Sequence, residues 1–346
     1  MCPPNDGNGR GESEALALIE RLLGSPPPPP GETWFGDDAA VLSVPGSPYR
    51  LLLATDSVVA GIDADLELTG LADLGWKALA VNLSDIAAMG GRPGRAVVSV
   101  VGLGASELEQ LYEGLLEASS RYACPVVGGD LSSGSEVVVT VAVTGWSDGP
   151  PVFRSGARAG DRIWVSGPLG AAAAGLRLLR GARGEGTAPG TGTAPGRSAG
   201  KGASAGPGPQ SRTTPAGPSS LVMAHARPAP AIREGIVARE AGATAMIDVS
   251  DGFAIDVLRL ADASGTGLEL DERFLPVAPG ATLDEALGGG DDYVLIFTGP
   301  PGVEMAEAFA AAGLPEPRCI GSCTPGGSPR ALSGRPLSAW GWQHHL

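Results

Sequence analysis

The 346-residue sequence predicts an α/β (α+β) chain, long enough for two domains or one large one, and three observations bear on that reading. Short runs rich in β-branched residues alternate with longer runs of helical period. A polar, Pro-containing break at residues 147–151 separates one such alternation from the next. A Gly/Pro-rich stretch at 181–220 then interrupts the second. With 43% apolar residues the chain can bury a proper core.

Residues 13–23 have the spacing of an amphipathic helix, and residues 26–30 are a polyproline spacer. Gly36-Asp37-Asp38 is a turn that leads into a strand. Residues 49–54 read as a short strand ending in Thr55-Asp56-Ser57, and α/β folds place ligands at such carboxyl ends. Residues 77–90 are helical: Ala78, Asn82, Asp85 and Met89 fall on one side, Gly90-Gly91 stops the helix, and Pro93 prevents its resumption. A strand at 96–103, a helix at 106–122 and a strand at 137–146 follow. Between the last two, Gly128-Gly129-Asp130 reads as a strand end or turn where backbone N–H groups can approach a phosphate.

Beyond the break, residues 160–167 form a strand and 171–180 a helix. The stretch 181–220 holds 11 Gly and 6 Pro and not one Val, Ile, Leu, Met, Phe, Tyr or Trp. It cannot bury apolar surface against the entropy of ordering, so a disordered insert is predicted. A helix at 231–241, a strand at 244–248 and a helix at 253–263 come next, with Val249-Ser250-Asp251-Gly252 as the turn between the last two. Gly288 to Asp292 precedes a strand at 293–298, and 303–312 is helical.

The net charge of −14 and the lack of a basic stripe argue against nucleic acid. Cys2, Cys124, Cys319 and Cys323 have no disulfide-framework or zinc spacing. The first residues lack the apolar core of a signal peptide, and no apolar run reaches membrane-spanning length. A soluble cytoplasmic protein with no membrane partner is expected. No Gly-x-x-x-x-Gly-Lys-Ser/Thr or strand-borne Gly-x-Gly-x-x-Gly occurs, and only three His are present.

What remains is carboxylate: Asp37/Asp38, Asp56, Asp85, Asp130, Asp248/Asp251 and Asp291/Asp292, mostly beside glycines or at element ends. If they converge, protonation or cations must relieve their repulsion. Oxygen-only ligands suit Mg²⁺ completed by phosphate oxygens. Multi-metal phosphoryl transfer fits, because it needs positioning and charge neutralisation more than a histidine base.

Read in order, Gly36-Asp37-Asp38-Ala39-Ala40, Thr55-Asp56, Lys77 through Gly90, Gly128-Gly129-Asp130, Arg154-Ser155-Gly156, Arg227-Pro228-Ala229-Pro230, Ile247 through Gly252 and Gly289-Gly290-Asp291-Asp292-Tyr293 resemble the thiamine-monophosphate kinase family. The resemblance runs from about Gly36 to the C-terminus, outside the insert. It implies the two-domain fold shared with aminoimidazole ribonucleotide synthetase and selenophosphate synthetase, an N-terminal dimerising sheet domain plus a C-terminal α/β domain. The expected division is a lead-in at 1–35, an ATP- and Mg²⁺-binding domain at 36–150 and the second domain at 151–346. It also implies ATP-dependent phosphorylation of thiamine monophosphate to thiamine diphosphate, the last step of thiamine diphosphate biosynthesis, by a homodimer with several Mg²⁺ ions. Carried over residue by residue, Asp38, Thr55, Asp56, Asp85, Asp130, Asp248 and Asp251 would ligate Mg²⁺, with Asp85, Asp130 and Asp251 closest to the chemistry. Gly129, Asp130, Arg154 and Ser250 would contact ATP, and Asp63, Asp291 and Trp342 the thiamine phosphate.

Three features depart from the family pattern. Asp291 stands for a usual Glu and Val294 for another. Ala54 replaces a common Ser or Thr, and the insert is longer. The competing readings are another ATP-dependent enzyme of the superfamily and a non-catalytic nucleotide-binding homologue. Cys2 lacks the neighbours of a selenophosphate synthetase, the end His344-His345-Leu346 lacks the Cys of the hydrogenase-maturation relative, and the retained acids disfavour a non-catalytic chain.

Overall fold

The structure, a computed structural model, describes residues 10–23, 27–184 and 217–342. The first part comprises α1 (Arg10–Leu23), β1 (Ala40–Ser43), β2 (Arg50–Val59), α2 (Leu71–Ala88), β3 (Arg92–Val101), α3 (Ala105–Arg121), β4 (Val126–Ser132) and β5 (Val138–Ser147). Its sheet runs β1-β2-β5-β3-β4, antiparallel except for β3 with β4. Thr33 also bridges Val41, so the lead-in joins this sheet's edge before residue 36.

The second part comprises β6 (Arg162–Val165), α4 (Ala171–Ala182), α5 (Pro218–Ala226), α6 (Ile232–Glu240), β7 (Ala245–Asp248), α7 (Phe253–Ser264), β8 (Gly267–Leu270), α8 (Leu283–Gly288), β9 (Leu295–Gly299), α9 (Met305–Ala311), β10 (Arg318–Thr324), β11 (Arg330–Leu332) and β12 (Arg335–Pro336). Its sheet runs β12-β11-β8-β10-β6-β9-β7 and is again mixed, with only β11 and β8 parallel. Among the described residues no helix is long and apolar enough to cross a membrane.

Helix α2 positions the site. Fourteen of its residues are buried, so it has no solvent face and must be enclosed on all sides. One side covers β2, β5 and β3; others meet α3, α6 and β7. Glycines allow the tight crossings. A Cβ on Gly75 would lie 2.0 Å from the Leu111 carbonyl oxygen, and one on Gly235 of α6 would lie 2.1 Å from that of Ala87. Polar contacts close the same seam: the Trp76 indole donates to the Pro228 carbonyl at 2.8 Å, and Arg227 pairs with Asp73 and Glu117.

Three expectations need correction, and several elements had none. Strand β2 does not end at Ala54. It continues to Val59 because β5 pairs with it through Val59↔Val138. Gly128-Gly129-Asp130 is not a turn but the middle of β4, held parallel to β3. Residues 181–182 belong to α4 and 218–220 to α5, where Leu221 packs with Ala174 and Ala278, so the insert's edges are ordered; its middle, 185–216, lies outside the described residues. Helices α5 and α8 and strands β8 and β10–β12 had no expected counterpart.

Candidate active site and metal centre

Asp38 leaves the turn before β1, Asp85 sits near the C-terminal end of α2, and Asp248 ends β7. Each offers a carboxylate oxygen, and the three oxygens lie within 4.8 Å of one another. Like charges this close in a buried place resist ionisation. Burial, then Asp56, Asp248 and Asp38, hold the Asp85 carboxyl well above the usual range. Burial and Asp38 do the same to Asp248, which accepts a hydrogen bond from the Ser84 hydroxyl.

Asp38 is the most constrained of the three. One of its oxygens accepts from Arg154 Nη2 at 2.6 Å and Nε at 3.2 Å, whereas Oδ2 is buried with no hydrogen-bond partner. An unpaired buried carboxylate oxygen beside two more carboxylates is a coherent place for a hard cation. Arg154 is itself fixed from behind, because its backbone N–H donates to Asp37 and its carbonyl accepts from the Ser264 hydroxyl. Burial, with the Asp38 charge second, pushes the Asp37 carboxyl up to about 7.

Asp56 borders the trio. Sheet pairing of β1 stops at Leu53, and beyond it Asn82 of α2 takes over, accepting from the Asp56 backbone N–H at 2.8 Å. Thr55 is the neighbouring strand residue, so its side chain leaves on the opposite face, where its hydroxyl donates to the Val141 carbonyl. It does not join the carboxylates.

Asp130 and Asp251 also lie outside the trio. Asp130 is exposed, accepts from the Ser132 hydroxyl and pairs in register with Ser99, which alternates with the buried Val98 and Val100. Gly129 beside it tolerates no side chain, since a Cβ would lie 1.8 Å from the Val98 carbonyl oxygen. Asp251 forms an ion pair with Arg259, which also holds Asp256. Ser250 lies in the same turn, and its carbonyl accepts from the Asp291 N–H at 2.8 Å.

A second polar group lies along α2. Lys77 is buried, and its ammonium donates to Asp291 Oδ2 and to the Asp63 carbonyl, both at 2.7 Å. The Tyr293 hydroxyl donates to Asp291 Oδ1 at 2.9 Å. Asp63 closes its own turn, with Oδ2 accepting from the Val59 N–H. Asp292 turns away and caps α4, accepting from the Gly170 and Ala172 N–H groups. Trp342 is half exposed, and its backbone N–H donates to the Asp251 carbonyl. Sequence reasoning gives no role to Lys77, Ser84 and Tyr293, and places Asn82 beside Asp85 without assigning it one. The signal for Lys77 and Asn82 was there: polar residues on a helix too apolar to have a solvent face.

The AIR synthase related protein, N-terminal domain, matches residues 36–147, and the AIR synthase related protein, C-terminal domain, matches residues 158–332. The thiamine-monophosphate kinase of Rhodopirellula baltica is 32% identical over 288 residues, which is 77% of this chain and 76% of that one. That of Escherichia coli K12 is 33% identical over 308 residues, 85% and 84% of the two chains. The chain belongs to the thiamine-monophosphate kinase family. Its two-part mixed fold is the family's: a solved structure, AaThiL complexed with AMPPCP and TMP, is 29% identical, with a TM-score of 0.77 over 97% of both chains.

Proposed function

We propose that this chain catalyses ATP-dependent phosphorylation of thiamine monophosphate to thiamine diphosphate with release of ADP. The observation that carries the reading is the buried Asp38–Asp85–Asp248 group with its orphaned Asp38 oxygen beneath Arg154. The family relatives support it, as does the AaThiL structure with AMPPCP and TMP.

The donor set is oxygen only, which fits Mg²⁺ and not zinc or copper. Asp38, Asp85 and Asp248 would hold it, with Asp56 adjacent. Bound there, Mg²⁺ neutralises phosphate charge and orients it for displacement. Arg154 gives its Nε and Nη2 to Asp38, which would leave Nη1 at the same place for nucleotide phosphate. No side chain has to remove a proton, because an acceptor phosphate with a second pKa of about 6 is already largely ionised. Among the described residues the one histidine, His225, is pushed down to about 4 by burial with the Lys77 charge second, so it is neutral.

The acceptor's organic part would then lie toward Asp63, Asp291 and Trp342. A half-exposed indole suits stacking against a cationic thiazolium ring. Asp130, Gly129, Ser250 and Asp251 remain assigned to nucleotide and further metal contacts; for Asp251 this requires release from Arg259. A homodimer is proposed through the open sheet face, where Leu53, Val97 and Trp146 are exposed. A cytoplasmic location follows from the activity and its substrates.

The test is direct detection of thiamine diphosphate with Mg²⁺-ATP, comparing thiamine monophosphate, thiamine and no acceptor. Product from the monophosphate alone supports the reading. ATP binding with no product from any of the three overturns it.

A further inference from the structure

Lys77 lies eight residues before Asp85, so α2 carries the two about 12 Å apart along its axis. Asp85 faces the carboxylate group and Lys77 faces the Asp63 turn and Asp291. The Lys77 side chain is only 6% exposed, and a buried ammonium has to be satisfied by fixed acceptors. Its acceptors come from both halves of the fold: the Asp63 carbonyl follows β2 of the first sheet, and Asp291 precedes β9 of the second. Asp291 is held twice, by Lys77 at Oδ2 and by Tyr293 at Oδ1. Asp291 and Tyr293 both adopt left-handed backbone, with φ of 68° and 50°, which a non-glycine chain keeps only where its surroundings enforce it. Gly290 makes the fold-back possible, since a Cβ there would lie 2.5 Å from the Ser250 carbonyl oxygen.

We propose that Lys77 is a positioning residue for the acceptor. It pins Asp291 and the Asp63 turn at a fixed distance from the carboxylate group, so that a phosphate at one end of α2 places the attached ring system at the other. The inference rests on the reading of the chain as a thiamine-monophosphate kinase. It adds to it that recognition of the acceptor's organic part depends on one ammonium spanning both halves. The shorter acid at 291 fits this arrangement, because Asp291 reaches Lys77 directly while 29% of its side chain stays exposed.

The experiment is steady-state kinetics on wild type, Lys77→Met, Asp291→Asn and the double variant, varying thiamine monophosphate and ATP separately. Lys77→Met should raise KM for thiamine monophosphate by about tenfold or more and leave KM for ATP within about twofold. The double variant should be no worse than the poorer single one, since both remove one contact. Unchanged KM for thiamine monophosphate, equal shifts for both substrates, or multiplying effects would overturn the inference while wild-type turnover keeps the function standing. Absence of wild-type turnover overturns both. Should Lys77→Met fail to fold, Tyr293→Phe, which removes only the hydroxyl on Asp291, should still raise the acceptor KM alone; no change there would overturn the proposal.

Discussion

Replacing Asp85 by Asn should do opposite things to stability and to catalysis. The variant keeps the shape and removes a charge from three carboxylates whose ligand oxygens lie within 4.8 Å. At an effective dielectric constant of about 20, two unit charges at that distance repel by roughly 3.5 kcal/mol. Asp38, Asp248 and Asp56 all act on Asp85, and Arg154 offsets part of this. Proton uptake limits the penalty, so without metal the variant should be the more stable protein by about 1–3 kcal/mol at neutral pH. For a chain of this size unfolding as one unit, that is a melting temperature higher by roughly 2–5 °C in EDTA. Adding Mg²⁺ should reverse the ranking. A ligand at a hundredfold its Kd stabilises by about 2.7 kcal/mol, and the variant should lose most of that gain. Turnover should fall by about 10²–10³-fold, the usual cost of one transition-state charge contact. Melting curves in EDTA and in Mg²⁺, with thiamine diphosphate production on the same samples, measure all three. Equal melting temperatures in EDTA together with equal gains from Mg²⁺ would refute a shared cation site at Asp85.

Arg154→Met should leave the buried Asp38 without its partner, destabilising the metal-free protein by about 3–5 kcal/mol in urea unfolding, with Mg²⁺ restoring part of the loss. Burial pushes Asp37, Asp256 and Asp292 each up to about 7, and Asp85 and Asp248 are raised as well. A raised carboxyl pKa contributes stability below the unfolded value near 4, and that contribution is lost as pH rises through about 7. The metal-free protein should therefore melt lower at pH 8 than at pH 5.5 by calorimetry in EDTA, and a rising profile would contradict the burial of these groups. Trp342→Ala should raise KM for thiamine monophosphate severalfold and leave the melting temperature near wild type, because the indole is 48% exposed.

The carboxylate set could be read from sequence because Asp38, Asp85 and Asp248 stand in glycine-flanked or apolar surroundings where a lone charge is out of place. The local structure around Thr55 and Asp130 was less legible, for a different reason. Thr-Asp-Ser and Gly-Gly-Asp have turn composition, but long-range pairing with β5 and β3 kept both segments extended. Once extended, adjacent residues must part to opposite faces, which separates Thr55 from Asp56. Lys77 could be placed on a helix from sequence, but its partner Asp291 lies 214 positions away, and no local pattern reports such a pair. The helix α5 starts inside a stretch whose composition opposes order, and it holds because Leu221 finds a pocket at Ala174 and Ala278.

The enclosure of α2 has a consequence for how the chain comes apart. Leu79 and Leu83 complete the core beneath the first sheet, whereas Ala87 and Ala88 belong to the cluster around Trp164 and Phe297 of the second. A fragment stopping near residue 150 would therefore carry a helix whose far flank faces water, and the remainder would lack part of its own interior. Neither half should persist as an independent folding unit, and loss of α2 from either side should propagate through the whole molecule as one cooperative event.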